Sequence, residues 1–116
     1  MMPMISEDAR LIVWPGVGSH FANMNFVVLQ PGERNVPHAH HASEDTIYIL
    51  SGRGSVQDLS NDMVLDINEG DVVHVPVGLV HAVRADKGSR IQSIGGPSPP
   101  DLDMLKEMGI EVPLAD

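Results

Sequence analysis

The stretch GERNVPHAHHASEDTIYILSG, Gly32 to Gly52, decides how this chain folds. It opens at the turn Gln30-Pro31-Gly32, carries His38, His40, Glu44 and Asp45, and runs out through Thr46–Leu50 to a second glycine. Histidines spaced i, i+2 on an extended chain project to one face, because strand side chains alternate with period two. A second stretch, GDVVHVPVGLVHAVRA from Gly70 to Ala85, contributes His81. Both blocks run turn, extended segment, histidine, extended segment. Imidazole with carboxylate suits divalent iron, manganese, nickel, copper or zinc, and the chain has no cysteine that could supply a thiolate. The two blocks therefore predict a metal held inside β structure by histidines and an acid.

Outward from these blocks, short β-type runs alternate with Gly, Pro and Asx punctuation, the pattern of an all-β sandwich or barrel. Strands are predicted at Arg10–Trp14, Asn23–Gln30, Thr46–Leu50, Ser55–Leu59, Met63–Ile67, Asp71–Val75, His81–Ala85 and Arg90–Ile94. Ser60-Asn61-Asp62 and Asn68-Glu69-Gly70 are the turns between them. Gly95-Gly96-Pro97-Ser98-Pro99-Pro100 is read as a stiff connector out of the barrel. Asp101 then caps a short helix, Leu102–Met108, that Gly109 stops. Met104 and Met108, spaced i, i+4, give that helix a docking face. The expected organisation is one domain over 1–116, with barrel core 10–95, connector 96–100 and helix 101–109.

Bulk composition narrows the function classes. The chain has 116 residues, 42% of them apolar and 20% charged, enough for a core without disulfides. Sixteen acids against seven scattered bases leave a net charge of −9, which repels nucleic acid and anionic membranes over most of the surface. The N-terminal MMPMISEDARLIVW has no basic leader followed by a long apolar run, and no stretch approaches the roughly 20 apolar residues of a membrane span. A cytoplasmic protein is expected, with no nucleic acid or membrane partner.

The two histidine blocks resemble the paired motifs of the cupin superfamily. The first motif reads Gly, five residues, His-x-His, three or four residues, Glu, six residues, Gly. The second reads Gly, five residues, Pro-x-Gly, two residues, His, three residues, Asn. Gly32, His38, His40, Gly52, Gly70, Pro76, Gly78 and His81 stand in register, with a 17-residue spacer from 53 to 69. The resemblance implies a double-stranded β-helix, or jelly-roll, barrel with the short C-terminal helix appended. It also implies one divalent transition metal per chain, bound by His38, His40, an acid and His81, with positions left open to water or substrate. The chain departs from the pattern twice. The acid at the motif position is Asp45, and Glu44 fits only if the following strand bulges. Because a one-residue slip inverts every side chain of a buried strand, register favours Asp45, with Glu44 the alternative. At the end of the second motif, Ala85 replaces the asparagine that many members have, away from the ligands.

The remaining histidines read differently. His41 must point away from His40, His20 lies in a loop, and His74 is a pocket-wall or interface residue. Gln57 and Asn25 are the better polar candidates for the barrel interior, and Arg53 and Arg84 are read as surface or turn residues. No clear general base stands outside the ligands, and Tyr48 is the weak catalytic candidate. These readings predict a metal-dependent enzyme acting on a small organic molecule, dioxygenase before isomerase or lyase, or else a metal- or small-molecule-binding module without turnover. A homodimer covering an edge strand and the outer face of Tyr48 and Leu50 is the expected assembly.

Overall fold

The computed structural model describes residues 5–6 and 8–111. The N-terminal stretch read above as lacking a leader lies partly outside them. Eight strands follow in order: β1 Asp8–Val13, β2 Met24–Leu29, β3 Glu44–Ser51, β4 Arg53–Asp58, β5 Met63–Asn68, β6 Val72–Val75, β7 His81–Ala85 and β8 Ile91–Ser98. A 3-10 turn at Pro15–Val17 and the helix α1, Leu102–Glu107, complete the described elements. All eight predicted strands are present, and the helix ends one residue earlier than expected, with Met108 as its C-cap.

The strands form two antiparallel sheets, one ordered β1-β2-β8-β3-β6 and the other β5-β4-β7. This is the expected jelly-roll, and it places the two histidine blocks together although His40 and His81 stand 41 positions apart in the chain. Neighbouring strands stand about 4.8 Å apart, so inward side chains of β2, β8 and β3 share one wall. On β3, Asp45, Ile47 and Ile49 face inward, while Glu44, Thr46, Tyr48 and Leu50 are exposed. That alternation is the one the register argument required.

The core has two parts. Leu29, Ile49, Val56, Ile67, Val83, Ala85 and Ile91 pack between the sheets at one end. Ala9 and Leu105 form the second cluster with Ile5, Leu11, Trp14, Val27, Met108 and Ile110, so α1 is docked on the barrel through its apolar face. Fully burying a side chain such as Leu29, Ile49 or Ile91 contributes roughly 1.5–3 kcal/mol.

One structural expectation is corrected. Gly95 to Ser98 is not a connector but the second half of β8, paired with β3 through Gly95↔Ile47, Gly96↔Thr46, Pro97↔Asp45 and Ser98↔Glu44. Glycine and proline carry poor strand propensity, so sequence patterning ended the strand at Ile94. The geometry needs glycine there. Gly95 has φ +148°, and a Cβ on it would sit 1.9 Å from the Thr46 carbonyl oxygen. Close approach of β8 to β3 is therefore possible only without a side chain. The chain then turns at Pro99 and Pro100, where the Ser43 hydroxyl donates to the Pro99 carbonyl, and enters α1.

Candidate metal centre

His38 and His81 face each other across an isolated antiparallel bridge. The His38 N–H donates to the His81 carbonyl (3.0 Å) and the His81 N–H to the His38 carbonyl (2.9 Å). This reciprocal pair ties the first block to the second. The His38–His40 segment is otherwise not a regular strand, so the expected strand alternation holds only locally. His40 is pinned instead by its carbonyl, which accepts the Gly78 N–H at 2.8 Å. Pro76-x-Gly78 thus supports the first block as well as interrupting its own.

All three imidazoles are anchored through Nδ1. His38 Nδ1 lies 2.7 Å from the Val36 carbonyl and His81 Nδ1 2.9 Å from the Leu79 carbonyl, in each case two residues upstream. His40 Nδ1 lies 2.7 Å from Asp101 Oδ2. Each acceptor assigns the proton to Nδ1 in the neutral ring and leaves Nε2 a bare lone pair. The rings cluster with centroids 4.4–5.4 Å apart. Asp45, 5% exposed, completes the group, with Oδ2 3.3 Å from both His40 Nε2 and His81 Nε2.

One ligand-type atom from each of His38, His40, Asp45 and His81 lies within 4.8 Å of all the others. His40 Nε2, His81 Nε2 and Asp45 Oδ1 are nevertheless buried without a hydrogen-bond partner. Buried polar atoms are almost always satisfied, and orphans within a cluster of ligand-type atoms are what a bound cation would satisfy. Neutral imidazole nitrogen with one carboxylate is a donor set for a first-row divalent ion, so the residues fit such a group.

The electrostatics agree. Burial pushes His38 down to about 4, so this ring is neutral near pH 7. Burial would also depress His40, but the carboxylates of Asp45 and Asp101 outweigh it and raise that ring above its ordinary value. Burial would raise Asp45, yet His40 and His81 outweigh it and hold the carboxyl below its usual range. For His38 the folded value lies below the unfolded 6.5, so its contribution to stability is complete above pH 6.5 and is lost as pH falls toward 4. Metal-free His38→Gln should therefore lose less stability than metal-free wild type between pH 6.5 and 4, read from urea midpoints. Parallel curves would contradict the burial of this ring.

Of the two candidate acids, Asp45 joins the histidines and Glu44 does not. Glu44 is exposed, with Oε1 2.9 Å from His74 Nε2 on the outer face. His74 is thus on the outside and not a pocket wall. Tyr48, the catalytic candidate, is 42% exposed on the same outer face as Glu44 and does not line the cavity, so it is corrected. The reason is the alternation that places Asp45 inside. Gln57 is also corrected: it accepts from Arg34 Nη1 at 3.0 Å and lies off the cavity wall. Asn25 does line the cavity, 8% exposed. His41 and His20 are exposed, as are Arg84 and Arg53, the latter 3.3 Å from Asp86.

The cavity runs from the histidine cluster to the inner face of α1. Its apolar walls include Leu11, Val27, Ile47, Val83, Met104 and Met108, and Asn23, Asn25, Asn35 and Ser93 supply polar positions. No lysine or arginine is among the described lining residues. Sequence reasoning placed Met104 and Met108 as a docking face but missed Asp101 as the partner of His40. The signal was only an N-cap aspartate after two prolines, and nothing local shows that the cap faces a residue 61 positions upstream.

A family model described as a cupin domain matches residues 25–92, which take in both histidine blocks. An uncharacterized protein of Methanocaldococcus jannaschii is 27% identical over 88 residues, covering 70% of this chain and 66% of that protein. A germin-like protein, subfamily T member 2, of Arabidopsis thaliana is 32% identical over 78 residues, covering 65% of this chain and 36% of that protein. The chain thus spans less than two thirds of either relative. Among solved structures, the polyketide cyclase RemF from Streptomyces resistomycificus superposes with a TM-score of 0.69 at 20% identity, over 79% of this chain and 66% of that one. At that identity the likeness is one of fold.

Proposed function

The chain belongs to the cupin family, and on that premise we propose that it is a metal-dependent cupin whose His38, His40, Asp45 and His81 hold one divalent transition metal. The observation that carries this reading is that His40 Nε2 and His81 Nε2 are buried without a hydrogen-bond partner, each 3.3 Å from Asp45 Oδ2, in a cluster whose ligand-type atoms lie within 4.8 Å of one another. An ion bound there supplies Lewis-acid polarisation or open positions for dioxygen. The protein contributes three imidazoles whose Nδ1 atoms are held by acceptors, so that Nε2 is the nitrogen left to ligate, a carboxylate held ionised, and apolar walls around them.

The substrate is a small, neutral, largely apolar organic molecule. A cavity lined by aliphatic and methionine side chains, with two carboxylates and no lysine or arginine among its described lining residues, disfavours anionic ligands except through the ion itself. Dioxygenase-like chemistry is supported best. The lining carboxylates Asp45 and Asp101 both face imidazoles, which leaves neither free as a general base for isomerase or lyase chemistry. That same engagement favours the second reading, a binding module without turnover. Cyclisation of the kind named for the Streptomyces relative would also have to rely on the ion. The assembly is a homodimer through the apolar outer face, where exposed Tyr48 pairs with exposed Val72 on edge strand β6.

Protein purified without added metal should carry one first-row transition ion per chain by elemental analysis and sediment at twice the chain mass. It should consume oxygen with at least one of a panel of catechols, thiols and diketones. Metal-loaded protein that binds such compounds without oxygen uptake would support the passive module. Absence of metal in repeated preparations would sink the reading as a whole.

A further inference from the structure

We propose that Asp101 is a positioning residue that makes the C-terminal helix part of the metal centre; the proposal rests on the metal-binding reading above. One carboxylate does two jobs. Its Oδ1 accepts the Met104 N–H at 3.1 Å and caps α1, and its Oδ2 holds His40 Nδ1 at 2.7 Å. His40 is 3% exposed, and its other ring nitrogen is one of the orphaned donors at the centre of the cluster. The carboxylate is therefore placed to orient the ring, fix its tautomer and increase its basicity as a ligand.

The same residue governs where α1 sits. Met104 and Leu105 are buried against the barrel, and together with Met108 they form one wall of the cavity. A six-residue helix is too short to persist in water by itself, so its order depends on its cap and its docking. Whatever stabilises the His40–Asp101 contact also stabilises the helix, and a docked helix presents Asp101 to His40. Linkage is reciprocal: if the docked helix raises metal affinity, bound metal raises helix stability by the same factor. The helix is thus a metal-responsive wall of the substrate cavity.

The test compares wild type, Asp101→Ser, Asp101→Asn and Asp103→Ser. Serine caps a helix as well as aspartate but cannot reach His40. Asn keeps both cap and acceptor without the charge. Asp103, exposed in the first turn, controls for charge alone. With Zn(II) as the probe, Asp101→Ser should bind about 10–100-fold more weakly than wild type, the range for loss of an outer-shell carboxylate. Asp101→Asn should fall between them, and Asp103→Ser should match wild type. Hydrogen exchange of the Leu105 and Met108 amides, which close the helix, should slow on Zn(II) binding in wild type and not in Asp101→Ser. In the metal-free proteins, nitrogen-15 spectra recorded at alkaline pH, where the His40 ring is neutral, should show it as the Nδ1–H tautomer in wild type and as a mixture in Asp101→Ser. Wild-type Zn(II) affinity in Asp101→Ser, or helix exchange indifferent to Zn(II), would overturn this proposal alone. No Zn(II) binding by wild type would overturn the metal reading and this proposal with it.

Discussion

Asp45→Asn should empty the protein of metal, whereas Glu44→Gln should leave metal content at the wild-type level. The two residues are adjacent in sequence and opposite in environment. Asp45 is 5% exposed with its carboxylate 3.3 Å from two imidazole nitrogens, while Glu44 is solvated beside His74. Asparagine preserves the shape of Asp45 but removes the charge that compensates a dication in a site walled from solvent. Loss of an outer-shell partner already costs about 10–100-fold in affinity, so loss of the one carboxylate that joins the three imidazoles among the described residues should exceed that. His40→Ala, which removes an imidazole ligand, should do the same. Elemental analysis of dialysed protein reads all three variants. The metal-free Asp45→Asn protein should stay folded, because His40 can shed its proton instead of remaining as a stranded buried charge. Metal lost from Glu44→Gln and kept in Asp45→Asn would invert the register of β3 and with it the site.

Ile49→Ala carries the largest expected cost to stability. Its side chain is fully buried in one core cluster with Leu29, Val56, Ile67 and Ile91. Truncations of this kind cost about 2–5 kcal/mol, because part of the cavity persists. A domain of this size is stable by roughly 5–15 kcal/mol in total, so the variant should approach the folding threshold. Urea unfolding should show a lower midpoint with an unchanged slope. Val64→Ala, at a position 64% exposed on β5, should stay under about 1 kcal/mol. Equal costs at the two positions would show that the inner and outer faces have been misassigned.

The same alternation explains which parts of the molecule were legible from the chain. β7, His81–Ala85, matches its predicted bounds, and β3 matches its predicted facing, because β-branched and aliphatic residues at period two leave one consistent burial solution. His38, His40 and His81 were legible because residue type and spacing are both local properties. β8 was misjudged at Gly95-Gly96-Pro97 because local propensity opposes a strand there. The requirement for glycine comes from the Thr46 carbonyl on another strand. Gln57 was misplaced as a residue of the barrel interior because polarity suggests a role but does not say which side of a sheet a residue occupies, whereas Tyr48 stands on the outer face where strand alternation put it.

By itself the sequence determined an all-β sandwich or barrel, its two histidine blocks and a short capped helix, since turn chemistry and hydrophobic period act over a few residues, and the resemblance of those blocks to cupin motifs implied the jelly-roll. It also narrowed the acid to neighbours one position apart. Only the tertiary structure decided that the three imidazoles and Asp45 gather in one cluster, with His40 Nε2 and His81 Nε2 buried and unpartnered, and that Asp101 reaches back to His40. Those are contacts between segments brought together by strand pairing across the barrel, and no local preference along the chain encodes them.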